Sequence, residues 1–179
     1  MGKLFTEINA ELKTWIEKQR MFFVSTAPLS ANGHINCSPK GYDSFRIIEP
    51  TVVAYQDLTG SGIETIAHIK ENKRIVIMFC AFEGPPKIVR LYGQGEIVLP
   101  GDKQFSLLHE HFPVRKGIRT YIKIQLTRIA DSCGYGVPLL DYKSERDVLS
   151  NWADAKTDED ITAYRQLKNS HSIDGLPGL

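Results

Sequence analysis

The stretch Asp57-Leu58-Thr59-Gly60-Ser61-Gly62-Ile63-Glu64-Thr65 carries the strongest chemical signal in the chain. Glycines ahead of a helix let backbone N–H groups converge, and the helix N-terminus adds partial positive charge, which suits a phosphate or another anion. A nucleotide-binding P-loop is excluded, because no Gly-Lys-Ser/Thr ending follows. The same residues read equally well as a flexible loop with a Thr or Ser N-cap, Glu64 complementing the helix dipole. A second cluster, Asn36-Cys37-Ser38-Pro39-Lys40-Gly41, sets a hydroxyl and a lysine beside a proline that removes a backbone donor. By itself it reads first as a surface turn with a solvated lysine. Arg90 stands in an otherwise apolar strand on one face with Ile88 and Tyr92, so its guanidinium needs a buried partner or an anionic ligand.

Other chemistries find little support. The five histidines form no metal site: His109 and His111 are two apart in a helical stretch and face different ways. His34, His68 and His171 have no neighbour at ligand spacing. Cys37, Cys80 and Cys133 contain no Cys-x-x-Cys pair, so a zinc ribbon or dithiol site is not indicated. No Gly-x-Ser-x-Gly elbow occurs. Cys133 has no basic neighbour to lower its pKa.

The frame that must position these residues is an ordinary globular one. The chain has 179 residues, 42% hydrophobic and 24% charged, with 22 Lys+Arg against 21 Asp+Glu for a net charge of +1. That excludes a disordered chain and a polyanion binder working through bulk charge, so no nucleic-acid partner is expected. A single domain over residues 1–179 is expected, its extension from about 130 packing on the body or on a dimer partner. The apolar run Ile75 to Phe82 is too short to span a bilayer, and no signal peptide opens the chain. Met1-Gly2-Lys3-Leu4-Phe5-Thr6 matches the loose N-myristoylation pattern, but one acyl chain binds membranes only marginally and no basic cluster follows. The three scattered cysteines fit a reducing, cytoplasmic compartment without a membrane partner.

Hydrophobic spacing predicts an opening helix from Leu4 to about Gln19, then a strand over Met21–Thr26. Asn32-Gly33 predicts a tight turn into a partner strand, His34 to Ser38, ended by Pro39. Short strands follow at Phe45–Ile48 and Thr51–Tyr55, a helix at Ile63–Glu71 with Asn72 as C-cap, and a buried strand at Arg74–Phe82. Lys87–Tyr92 alternates. Gly93 and Gly95 then interrupt the next strand, as where a barrel bends. A short helix carries Phe105, Leu108 and Phe112. Tyr121 to Ile129 alternates, with Tyr121, Lys123, Gln125 and Thr127 on a wet face. Helices near Arg146–Trp152 and Asp158–Leu167 precede a tail, Asn169 to Leu179, too apolar to be free. Six to seven mostly antiparallel strands with peripheral helices make a mainly β, α+β barrel.

In order, these pieces resemble the pyridoxamine 5′-phosphate oxidase-like family of flavin-binding split barrels, specifically a less characterised branch. The match covers roughly Met21 to Val98. It comprises the paired strands around Asn32-Gly33, the strand ending in Tyr55, the Gly/Ser loop opening a helix, and Glu71-Asn72-Lys73-Arg74 leading into the apolar strand. Its last piece is Lys87-Ile88-Val89-Arg90-Leu91-Tyr92-Gly93, similar to the family's Arg-Gln-Val-Arg-x-x-Gly strand. Ser172-Ile173-Asp174-Gly175-Leu176 is shared with that branch.

The resemblance implies a homodimer holding FMN at the subunit interface. Ser38 and Lys40 on the strand would contact the flavin or its phosphate, with Asp57, Thr59, Gly60, Ser61, Gly62, Glu64 and Thr65 on the loop. Arg90 would complete the site, from the other subunit. It further implies an FMN-dependent oxidoreductase acting on a small molecule, the flavin carrying the hydride chemistry. The alternative is a non-catalytic module sequestering flavin or haem. No residue declares itself a general acid or base; Tyr92, Cys133 and Tyr135 are only polar neighbours of the expected site. The oxidases proper bring several Arg and Lys to the phosphate, where this chain has Ser38, Gly62, Glu64 or Thr65. A like-charge contact at 4 Å costs about 4 kcal/mol at an effective dielectric near 20, so Asp57 and Glu64 must point away, accept hydrogen bonds, or face another ligand. The basic clamp for pyridoxamine phosphate itself is missing, and the reading requires a glycine-lined rim not blocked by the chain's own side chains.

Overall fold

The computed structural model describes residues 2–179, so Met1 of the acylation pattern lies outside it. The strands are β1 (Leu4–Phe5), β2 (Phe22–Thr26), β3 (Asn36–Lys40), β4 (Phe45–Glu49), β5 (Val52–Leu58), β6 (Arg74–Cys80), β7 (Ile88–Val98) and β8 (Ile118–Ser132). The helices are α1 (Ala10–Glu17), α2 (Glu64–Asn72), α3 (Lys103–His109), α4 (Val148–Asp154) and α5 (Asp158–Lys168). All strands join one antiparallel sheet in the order β3-β2-β6-β7-β8-β5-β4, with β1 added on β8. The two edges, β3 and β4, are consecutive in sequence and unpaired with each other. The sheet curls until Phe45 on β4 reaches Phe22 on β2, ring centroids 5.3 Å apart, and Phe79 on β6 at 5.0 Å. Aromatic packing rather than a hydrogen-bonded ladder closes this split barrel.

Alternation dictates the core. Val24, Tyr55, Ile77, Phe79, Leu91, Ile122 and Ile124 point inward and are almost wholly buried, each aliphatic one contributing about 1.5–3 kcal/mol. Leu12 and Ile16 of α1 cover one opening, and Ile66 and Ile69 of α2 another. Gly93 sits where β7 shifts register against β8, and a Cβ there would run into Gln125 O. It marks a close backbone approach, as anticipated.

Several expected boundaries move. The opening helix is shorter: Asn9 caps α1 by accepting from Leu12 N at 2.9 Å, while Leu4 and Phe5 pair with Ala130 and Ile129 as an eighth strand. The strand expected at His34–Ser38 runs instead from Asn36 to Lys40, with Pro39 inside it, which an edge strand tolerates. The loop before it is longer than a two-residue turn, and Gly33 is needed for room, since a Cβ would strike the Pro28 ring. Asn72 ends α2, and Lys73 takes the left-handed cap at φ 62°. Tyr121 is not wet: α3 and the turn after it cover it, with the rings of Phe105 and Phe112 tilted against it at 4.9 and 5.0 Å.

Candidate functional site

Pairing with β2 decides which way β3 looks. Asn36, Ser38 and Lys40 lie opposite Thr26, Val24 and Phe22, the inward set, so all three face into the split beside α2. Ser38 Oγ donates to Asn36 Oδ1 at 2.9 Å, and Asn36 Nδ2 donates to Thr65 Oγ1 at 3.0 Å and Thr26 Oγ1 at 3.2 Å. His68 Nδ1 meets Thr26 Oγ1 at 2.9 Å, while its Nε2 has no partner; burial holds this imidazole below its ordinary pKa, hence neutral at pH 7. Tyr55, fully buried nearby, is held well above the ordinary phenol value by burial and then by the Asp57 charge. At neutral pH Tyr55 is therefore a protonated phenol and His68 a neutral imidazole.

Asp57 ends the inward row of β5 and is 1% exposed. Arg119 Nε reaches its Oδ2 at 2.7 Å and Lys40 Nζ its Oδ1 at 3.3 Å. Burial pushes the Asp57 carboxyl up, but Lys40 and Arg119 together outweigh it and hold the pKa below the ordinary value. Two cations on one carboxylate leave one net positive charge, and Lys40 is the outer, partly exposed member. Glu64 also turns from the cleft: Oε2 accepts from Ile63 N at 3.0 Å and Oε1 from Ile173 N at 3.4 Å. Both carboxylates therefore meet the electrostatic condition set by their sequence.

In the Gly/Ser loop, Glu64 stands in the first turn of α2 as expected, but the capping residue differs. Ile63, not a Thr or Ser, is the N-cap of α2, and Glu64 Oε2 accepts from its amide, so the expected hydroxyl cap is replaced by a carboxylate of the first helical turn. Thr59 Oγ1 donates to Gly117 O at 2.8 Å and accepts from Arg165 Nη2 at 2.8 Å. Gly60 O and Ser61 O accept from Asn169 Nδ2 at 2.9 and 3.4 Å, and Gly62 O accepts from Arg119 Nη1 at 2.9 Å. The carbonyl side of the rim is thus closed by the chain's own side chains, while Ser61 and Gly62 remain exposed on the other side.

The structure thus gathers Ser38, Lys40, Asp57 and Thr65 in one cleft, with Thr59, Gly60, Ser61, Gly62 and Glu64 as its outer wall. Arg90 is elsewhere. It pairs with Met78 and Ala130 on the outward row that also holds Phe23 and Pro39, and its Nη1 donates to Ser132 Oγ at 3.0 Å. Sequence reasoning missed Arg119, Arg165 and Asn169. Arg119 carried the one available hint, a cation at the start of a buried strand. A groove of about 850 Å³ adjoins Lys40 and is walled by Trp15, Tyr42, Phe82 and Tyr142. Among the described residues no three His, Cys, Asp or Glu side chains are placed to hold a metal, and no helix is long and apolar enough to cross a membrane.

The chain as a whole has recognisable relatives. A family model described as pyridoxamine 5′-phosphate oxidase matches residues 8–133. The pyridoxamine 5′-phosphate oxidase family protein ustO of Aspergillus flavus is 36% identical over 196 residues, spanning all of this chain and 78% of the relative. Among solved structures, HupZ of Group A Streptococcus superposes with a TM-score of 0.55 at 28% identity, covering 68% of this chain and 91% of that one. The FAD binding protein from Mycobacterium smegmatis shares the fold with a TM-score of 0.50 at 11% identity, over 72% of this chain and 93% of that one.

Proposed function

Because the chain belongs to the pyridoxamine 5′-phosphate oxidase family, we propose that its cleft binds a flavin, FMN, and that the protein is a flavin-dependent oxidoreductase acting on a small molecule. The observation that carries this reading is the pairing of Lys40 and Arg119 on one buried Asp57, beside Ser38 and Thr65. Arg119 alone neutralises Asp57 at 2.7 Å, so Lys40 can turn its ammonium to an anionic group without stranding a buried carboxylate. The hydroxyls of Ser38 and Thr65 suit a polyol chain next to that anion. When bound, the flavin supplies hydride transfer; the protein's part is to orient it, neutralise its phosphate and limit water.

Two copies complete the reading. The outward row of Phe23, Met78 and Arg90, all half-buried, continues to the exposed Tyr92, an apolar strip around one arginine on a face the single chain covers only in part. Pairing of two protomers through this strip buries it and brings Arg90 to the partner's site, since it serves no cleft of its own protomer. Three unpaired thiols, Cys37, Cys80 and Cys133, fit a reducing cytoplasm.

The test is spectroscopic. Purified protein titrated with FMN should acquire flavin absorbance with a shifted envelope that bleaches on addition of a reduced nicotinamide. Lys40→Ala should weaken FMN binding at least tenfold. Flavin bands that resist every donor would replace the enzyme with a sequestering role. A chain that takes up haem and no flavin would overturn the flavin reading.

A further inference from the structure

The C-terminal segment, outside the span matched by the family model, reaches back to the loop that walls the cleft. Asn169, 0% exposed, uses its whole side chain there: Nδ2 donates to Gly60 O and Ser61 O, and Oδ1 accepts from Arg119 Nη1 at 3.0 Å. Its backbone is committed as well, because Leu179 N donates to Asn169 O at 2.8 Å and Asn169 N donates to Arg165 O at 2.7 Å. Gly178 lies so close that a Cβ would run into Asn169 O, and Lys70 Nζ donates to Gly178 O. Asp174 ties the segment to the β2–β3 loop, accepting from His34 N at 2.8 Å and pairing with His34 Nδ1 at 2.6 Å.

One buried amide thus joins three things: the loop, the guanidinium that neutralises Asp57, and the tail. Arg119 has Asp57, Gly62 O and Asn169 as its partners. Asn169 is neutral, so it orients Arg119 without competing for its charge. A carboxylate there would draw the guanidinium from Asp57, leave Lys40 as the main counter-ion of that carboxylate, and cancel the cleft's net positive charge.

We propose that Asn169 is a positioning residue of the flavin site, which holds Arg119 on Asp57 and thereby leaves Lys40 available to the anionic end of the ligand. This rests on the reading of the cleft as a flavin site. It makes the C-terminal segment a working wall of that site rather than a structural appendage.

The test compares FMN with riboflavin, which lacks the phosphate, on the full chain and on Asn169→Asp. The substitution is nearly isosteric, but it exchanges a neutral group for a negative one and removes the donor to Gly60 and Ser61. Affinity for FMN should fall on the order of tenfold while riboflavin affinity changes by less than about threefold, and the gap should narrow as salt is raised. An equal change for both ligands, or none, overturns the proposal and leaves Asn169 a purely structural residue. Asn169→Ser, neutral but too short to bridge Gly60 O and Arg119, should lower the FMN-to-riboflavin ratio in the same direction by a smaller factor; a ratio left at the native value would show that Asn169→Asp acts through its added charge alone and overturns the positioning role. A native chain that binds neither flavin overturns the parent reading and the proposal with it.

Discussion

Asp57 and Arg119 meet at 2.7 Å with side chains 2% and 4% exposed, and the partners come from β5 and β8, 62 residues apart. The pair is buried, hydrogen-bonded and flanked by Lys40, so its removal is felt in both stability and charge. Arg119→Met should destabilise the fold by roughly 3–5 kcal/mol, because Asp57 is left buried with only a more distant lysine. Urea denaturation at neutral pH measures it; a loss below about 1 kcal/mol would refute the assignment.

The pH dependence follows from the same carboxylate. Asp57 is held below its ordinary value in the folded state, so its contribution is fully present above the unfolded pKa of about 4 and is lost as pH falls through the folded value. Thermal melting from pH 7 to pH 2 should show an acid limb beginning near pH 4. In Asp57→Asn that limb should be shallower, although the variant starts less stable at pH 7.

Lys73 adopts φ 62° at the end of α2, exposed to solvent, with its N–H donating to Ile69 O at 3.0 Å. A left-handed cap strains any residue with a Cβ. Lys73→Gly should therefore stabilise the protein by about 0.5–1 kcal/mol, a Tm rise of a few degrees, without altering ligand binding.

Gly93 makes the opposite case. A Cβ there would run into Gln125 O and Ile124 Cγ2 in the most extensive strand pairing of the sheet. Gly93→Ala should cost about 1–3 kcal/mol, read as a lower urea midpoint with an unchanged slope.

The tie between His34 and Asp174 is exposed, so its effect should be local. Hydrogen bonds from His34 hold the Asp174 carboxyl below its ordinary value, so the tie weakens as pH falls through the carboxylate range. Asp174→Asn should speed hydrogen exchange in residues 170–178 and leave global unfolding nearly unchanged. Equal exchange in the two proteins would show that Gly178 and Lys70 hold the tail without it.

Much of the sheet was legible from periodicity. Arg74–Cys80 is continuous apolar sequence, and Lys87–Tyr92 alternates, so the central pair β6–β7 could be read directly. The edges were harder. Pro39 argued for the end of a strand, yet it lies within β3, because only a free edge spares its missing donor. Leu4 and Phe5 fit a helical stripe equally well, and only pairing with β8 drew them into the sheet.

What the sequence alone determined was composition-level and local: a mainly antiparallel barrel with peripheral helices, a polar strand end at Ser38 and Lys40, and a loop that had to reconcile Asp57 and Glu64 with any anion. How the charges were reconciled was decided only by the tertiary structure. Arg119 and Asn169 are 62 and 112 positions from Asp57, and no local pattern encodes a partner that far along the chain. Arg90 shows the converse. Its residue type called for a buried partner or an anionic ligand without saying on which side, and strand parity sets it opposite its own protomer's cleft, because each residue's side is fixed by the register of the pairing around it.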